Sequence, residues 1–236
     1  MTVFRTLLPF LLLAACGPLR ADDSLRLVLA SPDGRAVPAS APAACTGGLR
    51  NDDGSYEGAV GYANAVLRGS YVMAFDIPDG FAPARVCICW TRGPFNTGPD
   101  IDFELVFHAA DGKGPKGEPD WPGTFLGRVT ARAEGVPEFA VDGVALYPVE
   151  LPEAARSLAG RIHVGTEWQP FVDRQFFLCN DAEVGGGTTR PVFEAYGSTN
   201  EGQSWSPVSP NRPTYRALGT VLFGDVLYGD GFDVQP

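Results

Sequence analysis

Hydrophobic and polar residues alternate along much of the chain with a period of two. Val86, Ile88 and Trp90 share one face of a segment whose other face carries Arg85, Cys87, Cys89 and Thr91. Ile101, Phe103, Leu105 and Phe107 alternate in the same way with Asp102, Glu104, Val106 and His108, and Ile162, Val164, Thr166 and Trp168 with Arg161, His163, Gly165 and Glu167. Successive side chains of a strand point to opposite faces, so this period predicts half-buried β-strands and not helices. Tyr71, Met73 and Phe75 mark another strand, ended by Pro78-Asp79-Gly80. Further strands are expected over 55–62 after an Asp-Asp-Gly turn, over 125–132, over 174–180, over 192–196 and over 215–223, with two pieces inside 139–151 and a short one at 25–29. Residues 111–123 (DGKGPKGEPDWPG) read as a long loop, and 152–158 is the one helix or turn candidate in the mature chain. Roughly ten antiparallel strands at short turn spacing predict an all-β sandwich or jelly roll. No repeat of solenoid or propeller period is evident.

Composition agrees with that reading. Hydrophobic residues make up 44% of the 236, enough for a core, while 29 Gly and 21 Pro supply turns. The net charge of −10, from 18 basic and 28 acidic residues, argues against nucleic acid or an anionic membrane surface as a partner. Cations, neutral glycans and basic proteins stay compatible with it, and a glycan or an envelope protein is the expected partner.

The first 21 residues have the form of an export signal: Arg5, the apolar run TLLPFLLLAA, then small residues. That run is too short to span a bilayer. Leu13-Ala14-Ala15-Cys16 resembles the lipobox of bacterial lipoproteins, a resemblance that makes Cys16 the lipidated N-terminus. Cleavage after Ala21 is the alternative and would release a soluble chain. Residues 22–44, rich in Pro, Ala and Ser, are expected to form a semi-extended tether to a domain over 45–223. Residues 224–236 form a tail whose Tyr228, Asp230, Gly231, Phe232 and Asp233 resemble the short aromatic and acidic ends of many exported proteobacterial proteins. Export places the domain in a periplasmic, outer-membrane or secreted setting, where disulfides persist.

Four cysteines remain beyond Cys16: Cys45, Cys87, Cys89 and Cys179. An even number in an exported domain predicts two disulfides. Cys87 and Cys89 sit on one face of a strand, about 6–7 Å apart, too far for a mutual bond that needs Cβ atoms about 4 Å apart. Each therefore reaches for Cys45 or Cys179, in either of two matchings. Cys-x-Cys lacks the Cys-x-x-Cys spacing of a zinc site.

Reactive constellations are scarce. Gly-x-Ser-x-Gly and His-Glu-x-x-His are absent, and the two histidines, His108 and His163, fall on polar strand faces, where they read as solvated or hydrogen-bonded. Glu167, Asp173, Asp181 and Glu194 lie near aromatic residues and are the candidates for a glycosidase pair, against the plainer reading of solvated acidic faces. No cofactor is implied, although calcium would suit the oxygen-rich stretch that holds Asp100, Asp102, Asp111, Glu118 and Asp120. Trp121 is a loop tryptophan that could serve as a sugar-stacking platform, or could cap the core edge.

Two resemblances bear on these residues. Cys87-Ile-Cys89-Trp90, the strand leading to Asp111-Gly112, Ile162 to Trp168, and Phe176 to Asp181 follow one another as in a recurring group of uncharacterised secreted bacterial β domains. The resemblance spans roughly 45–220, implies the sandwich architecture and brings no activity with it. Ser198-Thr-Asn200-Glu-Gly202-Gln-Ser204-Trp205 is similar to the Asp-box of sialidases, which implies a hairpin turn with Gly at positive φ and Trp205 packed on the strands. Asn200 stands in the place of the family's aspartate, and Ser204 in that of its threonine. A non-enzymatic extracytoplasmic module, binding or scaffolding at the bacterial envelope, is the expected function. The alternatives are a polysaccharide hydrolase or lyase with paired carboxylates, and a purely structural envelope lipoprotein.

Overall fold

A computed structural model describes residues 26–30, 37–63, 66–171, 174–181, 195–208 and 217–226. Within them the alternating segments are strands of two sheets, packed face to face as a sandwich. The smaller sheet holds, in spatial order, β14 (Ser206–Pro207), β13 (Ala195–Ser198), β6 (Gly69–Ile77), β11 (Gly160–Trp168), β8 (Ile101–Ala109) and β9 (Phe125–Ala133). The larger runs β1 (Arg26–Ala30), β5 (Gly58–Tyr62), β12 (Phe176–Asp181), β7 (Phe81–Arg92), β10 (Val144–Glu150), β2 (Val37–Ser40) and β4 (Ser55–Tyr56). Three further pieces complete it: β3 (Leu49–Arg50), β15 (Ala217–Leu218) and β16 (Thr220–Val226). Residues 153–157 form a short 3-10 turn, as expected.

The strand with the CICW pattern is the axis of the larger sheet. At twelve residues β7 is long enough to pair along one edge with β10 and along the other with β12 and β16 placed end to end. Its inward side chains, Val86, Ile88 and Trp90, are fully buried against Phe103, Leu105, Val164 and Trp168 of the facing sheet. The Trp90 ring meets Trp168 edge-on at 5.1 Å and Phe103 at 5.3 Å, arrangements in which the positive edge of one ring meets the negative face of another.

The disulfides settle the matching: Cys45 bonds Cys87 and Cys89 bonds Cys179, with Cα atoms 5.9 and 5.4 Å apart. Together they form a second apolar layer on the outer face of the larger sheet, joined by Tyr56, Phe139, Val144, Leu146 and Val221. Gly219 is needed where β16 enters this layer, because a Cβ there would lie 2.4 Å from that of Cys89. Two disulfides belong to an oxidising, extracytoplasmic environment.

Several expectations are corrected. The described residues hold sixteen strands, more than ten, because short edge pieces carry no alternation. One pairing, β10 with β2, is parallel. The stretch expected as tether contributes β2, which pairs with β10 and β4, so the sheet reaches back before residue 45. The segment 139–151 yields one strand, β10, with turns before it. The signal with Cys16 and the tail from residue 227 lie outside the described residues.

Candidate functional site

A cleft of about 310 Å³ opens at one end of the smaller sheet, where β8 begins and β11 ends. Its floor is set by register: Glu167 of β11 stands directly opposite Glu104 of β8 and opposite Ser70 of β6. Such cross-strand neighbours have Cβ atoms about 5 Å apart, so the two carboxylates share one site. Two arginines bind both. Arg68 reaches Glu104 at 2.7 Å and Glu167 at 3.0 Å, while Arg128 of β9 contacts Glu104 and lies 3.6 Å from Glu167. Ser70 Oγ donates to the second oxygen of the buried Glu167 at 2.9 Å. The result is a closed network of two positive and two negative groups, half in water. Asp100, Asp102, Thr130, Gln169, Phe171 and Arg174 complete the wall. Phe171 keeps 48% of its surface exposed, and the Arg174 guanidinium lies 6.0 Å from its ring centroid.

The residues singled out from the sequence fall in several places. Of the four glycosidase candidates, Glu167 lies in the cleft, Asp181 is buried on the outer face of the larger sheet, and Asp173 and Glu194 lie outside the described residues. Glu104, the partner Glu167 does have, sat in plain view in the alternating pattern; only the pairing register reveals its role. The acidic stretch considered for calcium is not one cage. Asp100 and Asp102 are both held by Arg132, at 2.9 and 3.0 Å. The Gly135 N–H, with Arg132, holds the Asp100 carboxyl below its ordinary value. Asp111 accepts from the Thr124 N–H and hydroxyl, Glu118 accepts from the Lys116 N–H, and Asp120 offers its backbone carbonyl to His163. Four of the five carboxylates thus have a hydrogen-bond or ion-pair partner of their own, and no cluster of three metal-ligating side chains occurs among the described residues.

The outer face of the smaller sheet is covered. The 111–123 loop and the β13–β14 hairpin fold over it and bring Trp121 against Tyr196, at 4.8 Å, and Trp205 against His108, at 5.1 Å. Trp121 is half-buried there and does not line the cleft, in keeping with its reading as a cap. The Asp-box-like turn forms as the resemblance implies. Asn200 Oδ1 accepts from the Ser204 N–H at 2.9 Å, Ser198 Oγ accepts from the Gly202 N–H at 2.9 Å, and Gly202 has φ +75°.

Under these two loops His108 and His163 stand opposite each other on β8 and β11, hydrogen-bonded but shielded from solvent. His163 Nε2 lies 2.9 Å from the Asp120 carbonyl. A carbonyl only accepts, so that nitrogen carries the proton and Nδ1 is left bare and buried, without a partner among the described residues. Burial pushes the His163 imidazole down to about 4 and lowers His108 in the same direction. Gly165 lies two residues along β11, where a Cβ would come within 1.9 Å of the Tyr71 carbonyl oxygen, so the close approach of β6 requires glycine.

Comparison with family models, with curated proteins and with solved structures finds no match for the chain.

Proposed function

We propose that the chain is a non-enzymatic extracytoplasmic β-sandwich module that binds a polar ligand, a glycan in the first instance, at the bacterial envelope. The cleft beside Glu104 and Glu167 is its binding site. One observation carries the reading: both carboxylates are tied to the same two arginines, while a half-exposed aromatic ring stands in the same wall. Carboxylate and guanidinium forks accept from and donate to neighbouring hydroxyls, and an aromatic face receives the C–H side of a sugar ring. A general acid needs a proton to give, and a nucleophile needs an open lone pair. Glu167 has Arg68, Arg128 and Ser70 on its oxygens, which supports holding over reacting. The Leu13-Ala14-Ala15-Cys16 motif supports attachment to the membrane through a lipid on Cys16, in which case the cleft faces the envelope from a tethered domain.

A second reading has one observation in its favour. Two glutamates facing each other in a cleft are the minimum a polysaccharide hydrolase requires. A glycan array followed by titration of the best binder separates the two. The binding reading expects affinity that falls about five- to tenfold in Phe171→Ala, as a lost stacking contact predicts. It also expects no release of reducing ends. Turnover abolished by Glu104→Gln would replace it with the hydrolase. Absence of any glycan or envelope-protein ligand would leave the purely structural lipoprotein.

A further inference from the structure

Residues 50–54 form a turn that is fastened to both sheets. Asn51 Nδ2 donates to the Ala74 carbonyl of β6 at 2.9 Å, and the Asp53 N–H donates to Asp181 Oδ2 of β12 at 3.2 Å. The first contact is neutral; the second depends on a carboxyl group in an unusual position. Asp181 is fully buried, and its other oxygen, Oδ1, has no hydrogen-bond partner among the described residues. Three acidic side chains, Glu57, Asp53 and Asp52, face it. Arg50, the cation of the turn, is spent on Asp52, with Nε and Nη2 at 3.0 and 2.6 Å from Asp52 Oδ1. Among the described residues, no positive group is paired with Asp181 itself.

We propose that this turn is a proton-controlled latch, closed across the two sheets while Asp181 carries a proton and loosened at β12 when that proton leaves. An ionised carboxylate would accept the Asp53 N–H more strongly, but that gain is one hydrogen bond. Against it stand the removal of a full charge from water and repulsion from three carboxylates, those of the buried Asp52, the half-buried Glu57 and the exposed Asp53. Burial first and these charges next raise the Asp181 carboxyl to about 7. Swinging the turn outward admits water to Asp181 and carries Asp52 and Asp53 away from it, so ionisation favours the open form. Asp181 shares the outer face of β12 with Cys179, so the latch is fastened beside the disulfide layer.

Amide hydrogen exchange of the intact chain tests this, with each rate divided by its intrinsic value at the same pH. Between pH 6 and pH 8.5 the protection of the Asp53 amide is expected to fall about tenfold, one tenfold step per pH unit past the titration being the upper bound. The amides of β8 and β11 should hold theirs. Asp181→Asn, which keeps the shape and an acceptor for the Asp53 N–H, should abolish the fall. Unchanged Asp53 protection in the wild type, an equal fall in Asp181→Asn, or a parallel fall throughout β8 and β11 would each overturn the latch.

Discussion

Replacing Cys89 and Cys179 together by alanine is expected to cost about 4 to 5 kcal/mol of folding stability, the entropy of closing a loop of this length. The bond spans 90 residues, against 42 for Cys45–Cys87, so the corresponding Cys45→Ala/Cys87→Ala variant should lose slightly less, about 4 kcal/mol. The longer loop contains all of β8, β9, β10 and β11, and closing it before folding removes much of the unfolded chain's freedom. A further loss comes from the layer the sulfurs occupy: each cysteine of both bonds is 0–1% exposed, and alanine leaves a gap that nothing fills. Urea denaturation gives the answer directly. A wild-type midpoint in the Cys89→Ala/Cys179→Ala variant would mean that β7 is held by its pairing alone.

Asp181→Asn should stabilise the protein by about 4 kcal/mol at pH 8 and by only about 1 kcal/mol at pH 4.5. An unfolded Asp ionises near 4, whereas the folded carboxyl keeps its proton until about 7. Between those values the native state binds more protons than the unfolded one. Stability therefore falls as pH rises through that window and levels off above it. Asparagine cannot ionise and removes the loss. In a chain of this size the gain at pH 8 corresponds to a rise in Tm on the order of 10 °C. His163 works in the opposite direction. Its folded value lies near 4, below the ordinary 6.5, so its contribution is complete above pH 6.5 and is lost as pH falls toward 4. In the wild type the two groups offset each other over pH 4 to 6.5, and Asp181→Asn should uncover the acid lability that His163 imposes. Thermal melts at pH 4.5, 6 and 8 check both statements. An equal gain at all three pH values would contradict the buried, protonated carboxyl.

The contrast between those two side chains also shows where sequence reasoning stops. His163 and His108 alternate with core residues, which assigns them to the outer face, and that much is correct. Their burial is a different matter. It comes from the 111–123 loop and the β13–β14 hairpin folding over the sheet, which no local pattern encodes. Asp181 is the same case: its alternation with Leu178 and Asn180 says nothing of the turn at 50–54, which is 128 residues away and donates to it. Contacts made within a few residues were legible. The Asn200 turn, the Pro78-Asp79-Gly80 break and the 3-10 turn at 153–157 all follow from local chemistry. Register lies between these extremes. Glu104 and Glu167 are both visible as outward-facing residues, but only hydrogen bonding between β8 and β11 places them in one cleft with Arg68 and Arg128. The early strand β2 went unread for a simpler reason: Val-Pro-Ala-Ser is too short to show a period, and its parallel partner is more than a hundred residues ahead.

One measurement bears most directly on the central claim that a single strand, β7, is stapled on its outer face to the chain's beginning and to its late strand. Partial reduction with stepwise alkylation, followed by mass spectrometry of the unreduced protein's peptides, assigns each sulfur to its partner. The fold described here requires Cys45 with Cys87 and Cys89 with Cys179. Crossed pairs, a Cys87–Cys89 bond or four unmodified thiols would contradict it.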